Sequence, residues 1–146
     1  MIKFSNMIMK KVENTNSNDS NNDNSISYDQ FEHWLDSIVK SSDFNGVVAT
    51  NFNLYEDGND FWSIEFVATS RFDINDSDWA CYEIFSSRDN PLRWQKRAKW
   101  EEILASSVTL IEQYLTVGKY AGKLKSFEAV GVGFVDGDIK ILYHCQ

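Results

Sequence analysis

Nucleophilic catalysis would need a thiol or hydroxyl beside a base, and this chain has few such residues. It contains two cysteines, Cys81 and Cys145, and two histidines, His33 and His144. A catalytic thiol and its base meet in space rather than in sequence, so a pairing of Cys81 with either histidine stays open. Because Cys81 lies in an apolar pattern typical of a core strand, we expect an inert thiol and no catalytic residues.

Metal binding is the second chemistry to weigh. The segment DINDSD at 73–78 offers several oxygen ligands close together. A calcium loop of the EF-hand type also needs a glycine and a distant bidentate glutamate, and both are missing at the required positions. Asn and Asp are equally typical of turns, because their side chains bond the nearby backbone. The cysteines and histidines do not cluster as zinc ligands do, so we expect no metal and no cofactor.

Acidic residues are concentrated in the connections between predicted strands. The chain has 22 acidic and 14 basic side chains and a formal net charge of -8. Nucleic-acid binding needs clustered Lys and Arg, so this balance argues against it, whereas an acidic patch attracts a basic protein. Several of these connections would meet at one end of a meander sheet. The predicted partner-binding residues are Asp57, Asp60, Asp73, Asp76 and Asp78, with Glu56, Asp136 and Asp138 as secondary candidates.

Hydrophobic periodicity predicts the elements that position these connections. A capping box at 27–30 followed by an apolar stripe over 31–39 predicts a first helix. Period-two patterns at 48–54, 62–68 and 79–85 predict three strands. The polar connections between them are short, which favours an antiparallel meander.

A long helix and a terminal hairpin complete the predicted domain. The helix should run from about Trp94 or Lys99 to Val117, with Trp100 on its buried stripe and Gly118 as its stop. Residues 128–145 contain two alternating runs around an Asp-Gly pair, which predicts a hairpin with a type I′ turn. The predicted order is α-β-β-β-α-β-β, an α+β fold with a mostly antiparallel sheet packed against two helices.

Two glycines in this hairpin, Gly131 and Gly133, share one face of their strand. Glycines at that spacing allow a neighbouring helix or backbone segment to approach closely.

Composition also predicts the domain limits. Residues 13–25 are almost entirely Asn, Ser and Asp, which bury too little apolar area to offset the entropy of ordering. We predict a flexible leader over 1–26 and a single α+β domain over 27–146. With no apolar run of membrane-spanning length and no convincing signal peptide, we expect a cytoplasmic protein without a membrane partner.

Two short sequence segments resemble segments of a known protein family. FDINDSDWAC at 72–81 and VGVGFVDGD at 130–138, within a similar region from about Phe61 to Tyr143, resemble small bacterial proteins that act as immunity proteins of polymorphic toxin systems. The resemblance implies a non-enzymatic protein that binds a cognate toxin tightly and blocks its active site or an adjacent surface. Many such toxins are basic nucleases, so an acidic inhibitor would imitate the charge of nucleic acid.

Two other functions stay open from the sequence. One is a small regulatory or adaptor protein with another partner, or a homodimer. The other is an enzyme that uses Cys81 or a pocket lined by Trp79, Trp94 and Trp100. An immunity protein, monomeric or homodimeric, is the leading hypothesis.

Overall fold

The computed structural model describes residues 25–145, in which three helices pack with a six-stranded sheet. The predicted α+β class is confirmed. The elements are α1 Tyr28–Ser41, β1 Ala49–Gly58, β2 Phe61–Thr69, a 3-10 helix Ser77–Cys81, β3 Glu83–Ser86, β4 Leu92–Gln95, α2 Trp100–Val117, α3 Ala121–Leu124, β5 Ala129–Phe134 and β6 Lys140–His144. Residues 1–24 of the predicted leader lie outside the described residues, and Ile26 already packs against the core.

The sheet is mixed, with β1 near its centre. Its order is β3-β2-β1-β5-β6, and β4 pairs with β2 beside β3. β1 runs antiparallel to β2 and parallel to β5, so Phe52 lies opposite both Phe66 and Val132. The parallel pair needs a long crossover, which α2 and α3 supply. The antiparallel meander predicted for the first three strands is confirmed, and the only parallel pairing within residues 25–145 is β1 with β5.

Both long helices contribute to one apolar core on one face of the sheet. The predicted capping box of α1 is present: the Gln30 amide donates to Ser27 Oγ at 3.1 Å, and the Ser27 amide donates to Gln30 Oε1 at 3.0 Å. The predicted stripe of α1 is entirely buried. In α2 the buried residues are Ile103, Ser107, Ile111, Tyr114 and Leu115. Within residues 25–145 no helix is both long and apolar enough to cross a lipid bilayer.

The β5–β6 hairpin is confirmed, but its predicted type I′ turn is wrong. Asp136 and Gly137 do not have positive φ, and the Gly137 amide donates to the Phe134 carbonyl at 2.9 Å. Positive φ occurs instead at Asn59 and Asp60, 53° and 64°, in the two-residue connection between β1 and β2. Only a connection that short requires primed-turn geometry, and the longer β5–β6 connection does not.

The predicted third strand begins later than expected. Residues 77–81 form a 3-10 helix, and the Asp76 side chain caps its amino end by accepting from the Asp78 amide at 3.0 Å. The expectation that Cys81 lies in a core strand is therefore wrong, and its side chain is exposed.

A further strand, β4, occupies residues where the sequence predicted a break or the start of the long helix. Trp94 pairs with Trp62 of β2, and its side chain is buried. This pairing between distant segments outweighs the local pattern, which is too short to reveal a strand.

Candidate functional site

The structure separates the predicted acidic residues into two groups. Asp57 and Asp60 lie at the β1–β2 turn, whereas Asp73, Asp76 and Asp78 follow the far end of β2. β2 has 9 residues, and at about 3.3 Å per residue the two ends are roughly 26 Å apart. The two groups therefore belong to separate surfaces, and only Asp57 and Asp60 lie at the same end as Glu56.

At the β1–β2 turn the two predicted aspartates are paired with arginines of the same domain. Arg93 Nε lies 3.4 Å from Asp57 Oδ2, and Arg97 Nε lies 3.9 Å from Asp60 Oδ2. The Arg93 guanidinium also sits over the Phe61 ring, 4.1 Å from its centroid. These ion pairs are exposed and weak, yet they offset part of the negative charge at this turn.

In the loop after β2 the aspartates build the loop itself. Asp73 Oδ1 accepts from the Asn75 amide at 2.9 Å, in the same way that Asp76 caps the 3-10 helix. Side-chain bonds of this kind are the usual reason for Asp in turns. These hydrogen bonds within the loop therefore explain why aspartates occupy positions 73 and 76 without requiring a bound ligand.

A cleft of about 630 Å³ opens where β1 and β5 end. The two strands are parallel, so their carboxyl ends share one edge of the sheet, and α2 begins beside them. Ligand sites in open sheets often lie outside such strand ends. Among the lining residues are Tyr55, Glu56, Trp100, Phe134, Val135 and Asp136.

The apolar part of this cleft is an exposed aromatic wall. Trp100 is 52% exposed, and its ring meets the Phe134 ring edge to face with centroids 6.0 Å apart. Val135 on the hairpin tip is 54% exposed. The prediction that Trp100 lies on the buried stripe is wrong, because it is the first residue of α2 and projects beyond the core. Large apolar side chains exposed beside a cleft are typical of contact surfaces.

The polar part of the cleft carries uncompensated negative charge. Glu56 and Asp136 both line it. Neither forms an ion pair within residues 25–145, in contrast to Asp57 and Asp60. Two of the three secondary candidates, Glu56 and Asp136, therefore carry charge that no arginine of these residues offsets, unlike the two primary candidates at the same end.

The sheet face opposite the helices holds a buried carboxylate that sequence reasoning missed. Glu65 is 2% exposed, and its Oε1 accepts from Tyr55 Oη at 2.7 Å and from Asn53 Nδ2 at 3.2 Å. Its Oε2 lies 3.3 Å from Arg88 Nε, and Arg88 also binds Glu83 at 2.6 Å. Burial, followed by the bond to Glu65, raises the pKa of Tyr55 to about 12. The signal available in the sequence was a glutamate in the middle of a strand that was predicted to have another strand on each side.

Several residues of the two distinctive sequence segments, 72–81 and 130–138, pack on that same face. Trp79 is buried against Ala49 and Ala129 in a small second cluster. A Cβ on Gly131 would lie 3.3 Å from the Trp79 ring, and a Cβ on Gly133 would collide with the Asp138 carbonyl oxygen. The predicted close approach of a neighbouring backbone is thus confirmed at Gly133, whereas at Gly131 the close neighbours are side chains.

The structure does not bring Trp79, Trp94 and Trp100 together in one pocket. Trp79 belongs to the small cluster, Trp94 to the main core, and Trp100 to the cleft rim. Among residues 25–145 no group of three or more His, Cys, Asp or Glu side chains is placed to hold a metal ion. No family model, curated protein or solved structure matches this chain.

Proposed function

We propose that this chain is a cytoplasmic immunity protein that binds and neutralises a cognate toxin by protein–protein contact, without catalysis of its own. The observation that carries the proposal is the cleft, where Glu56 and Asp136, without an ion-pair partner among the described residues, lie beside the half-exposed Trp100. Aromatic anchors with complementary charge are what a tight protein interface uses. The net charge of -8 suits a basic partner such as a nuclease.

The proposed contact surface is centred on this end of the sheet. Asp57 and Asp60 flank the cleft, and their arginine partners are exposed, so a basic partner competes for them without disturbing the core. Asp73, Asp76 and Asp78 stay predicted contacts on the other surface. They lie too far away to share the cleft, so they contribute mainly to the long-range attraction of a basic partner.

The first test is binding and rescue with the C-terminal domain encoded by the adjacent gene. We expect stoichiometric recovery of that domain by this protein, and growth of cells that express both. Failure of the two proteins to bind, together with no toxicity from the neighbouring domain, would remove the immunity proposal.

The second test assigns the surface by charge reversal. Glu56→Lys with Asp136→Lys should slow association roughly tenfold at low salt and weaken its salt dependence. Asp73→Lys with Asp78→Lys changes the net charge equally at the far surface and should have a smaller effect. The reverse order of effects would place the contact at the loop after β2.

A further inference from the structure

We infer that the cleft holds a cationic side chain, an arginine or lysine carried by the partner, between the Trp100 ring and the carboxylates of Glu56 and Asp136. This inference rests on the proposed function and specifies the chemistry of its central contact. Its basis is the combination of a cavity, an exposed aromatic face and two carboxylates that have no ion-pair partner in the described part of the chain.

The lining excludes most other occupants. No Lys or Arg of the described residues lines the cleft, so an anion would meet two carboxylates and no balancing side chain. A purely apolar group would desolvate Glu56 and Asp136 without replacing their hydrogen bonds, which is costly. A cation on an aromatic face gains from the ring quadrupole and satisfies the carboxylates together.

The same domain already contains this arrangement with its cation in place. Across the β1–β2 turn, Arg93 lies over the Phe61 ring and pairs with Asp57. The cleft repeats the aromatic ring and the carboxylates, with Trp100 in the role of Phe61, but the described residues supply no cation to it.

Two further features bear on the fit. The volume of about 630 Å³ lies within the usual range of small-ligand pockets, roughly 300–1,000 Å³, so the cleft accommodates a short segment that carries the cation. The amino end of α2 contributes partial positive charge near Trp100, but Glu101 and Glu102 in its first turn offset it. The charge of the site is therefore set by its carboxylates.

Trp100 offers a direct measurement of occupancy. The four other tryptophans are at most 9% exposed, so a collisional quencher such as acrylamide reports mainly on Trp100. Complex formation with the neighbouring domain should reduce the quenching of the wild-type protein. In Trp100→Phe, whose quenching is already low, the same complex should cause little further change.

Affinity measurements with neutral substitutions test the charge of the occupant. Glu56→Gln and Asp136→Asn should each weaken binding roughly tenfold, and Trp100→Ala by about thirtyfold or more, whereas Trp100→Phe should keep most of the affinity. Glu112→Gln, a neutral substitution at an exposed position far along α2, is the matched control and should bind like the wild type. Unchanged urea midpoints in all variants would confirm that folding is intact.

The outcomes separate the two proposals. A loss of affinity in Trp100→Ala alone would mean an apolar occupant and would overturn the cationic inference. A stable complex that none of the cleft variants weakens would overturn the inference and leave the immunity proposal standing. No complex at all, together with no toxicity from the neighbouring domain, would overturn both.

Discussion

Glu65 is the residue whose replacement should most affect the sheet face opposite the helices. Its Oε1 accepts from the half-buried groups of Tyr55 and Asn53. A hydrogen bond to a charged group contributes about 1.5–3 kcal/mol, so the two bonds contribute about 3–6 kcal/mol. Removing a buried carboxylate also relieves a desolvation cost of several kcal/mol, and water can partly replace the lost acceptor. We expect Glu65→Ala to lower the free energy of unfolding by about 2–3 kcal/mol.

Glu65→Gln should be milder, because the amide keeps an oxygen acceptor for Tyr55 and Asn53. Each bond then falls to the neutral value of about 1 kcal/mol, and the net loss should be about 1 kcal/mol. Glu83→Gln is the control, since Glu83 pairs with the same Arg88 at a more exposed site, and it should change little. Urea denaturation measures all three variants. If Glu65→Gln proves as damaging as Glu65→Ala, hydrogen-bond acceptance is not what Glu65 contributes.

The same network predicts a titration difference. The pKa of Tyr55 is raised to about 12 from its ordinary value of 10.0, so the neutral phenol is favoured by folding. Its contribution to stability is complete below about pH 10 and is lost as the pH rises through about 12. Without the carboxylate of Glu65, Tyr55 should ionise at lower pH in Glu65→Gln. Absorbance at the phenolate band, with Tyr55→Phe to assign the signal, would show this shift.

Two other substitutions probe the packing around the sheet. Tyr114→Phe removes the donor to Asp36, 2.6 Å away, and the acceptor of the Tyr120 amide, 3.2 Å away, so urea denaturation should show a loss of about 1–3 kcal/mol. An unchanged midpoint would mean that these bonds contribute nothing net. Gly133→Ala forces a methyl group against backbone and should cost about 1–3 kcal/mol or more in thermal denaturation. Gly122→Ala, with open space around it in α3, should be neutral or stabilising, and equal losses in both would refute the steric explanation.

Local periodicity was enough to predict α1, most of α2 and the β1–β2 pair. The capping box at Ser27 and the stripe of α1 depend only on neighbours along the chain. β4 was missed because its strand character comes from pairing with β2, and the β1–β5 pair was missed because α2 and α3 separate its strands. Trp100 was misassigned because helical spacing does not show how far the core extends along the helix.

The cleft could not be predicted for a related reason. Its lining comes from the end of β1, the first residue of α2 and the β5–β6 connection, which are far apart in sequence. The positions of acidic residues in the sequence therefore indicate candidate partner-binding residues, but not which of them carry charge that the rest of the protein leaves uncompensated. That difference depends on the ion pairs of the folded protein. Arginines offset the charge of Asp57 and Asp60, whereas Glu56 and Asp136 have no ion-pair partner within residues 25–145.

The packing around the hairpin connects the stability of the fold to the proposed contact. The Asp138 carbonyl rests on Gly133, and the Val135 amide donates to the Leu54 carbonyl at 3.2 Å, so both sides of the connection that carries Asp136 are held against the sheet. A cleft fixed in this way loses little conformational entropy when a partner binds. The smaller entropic cost makes the free energy of binding more favourable. Gly133→Ala should therefore weaken binding to the neighbouring domain although it removes no group from the cleft.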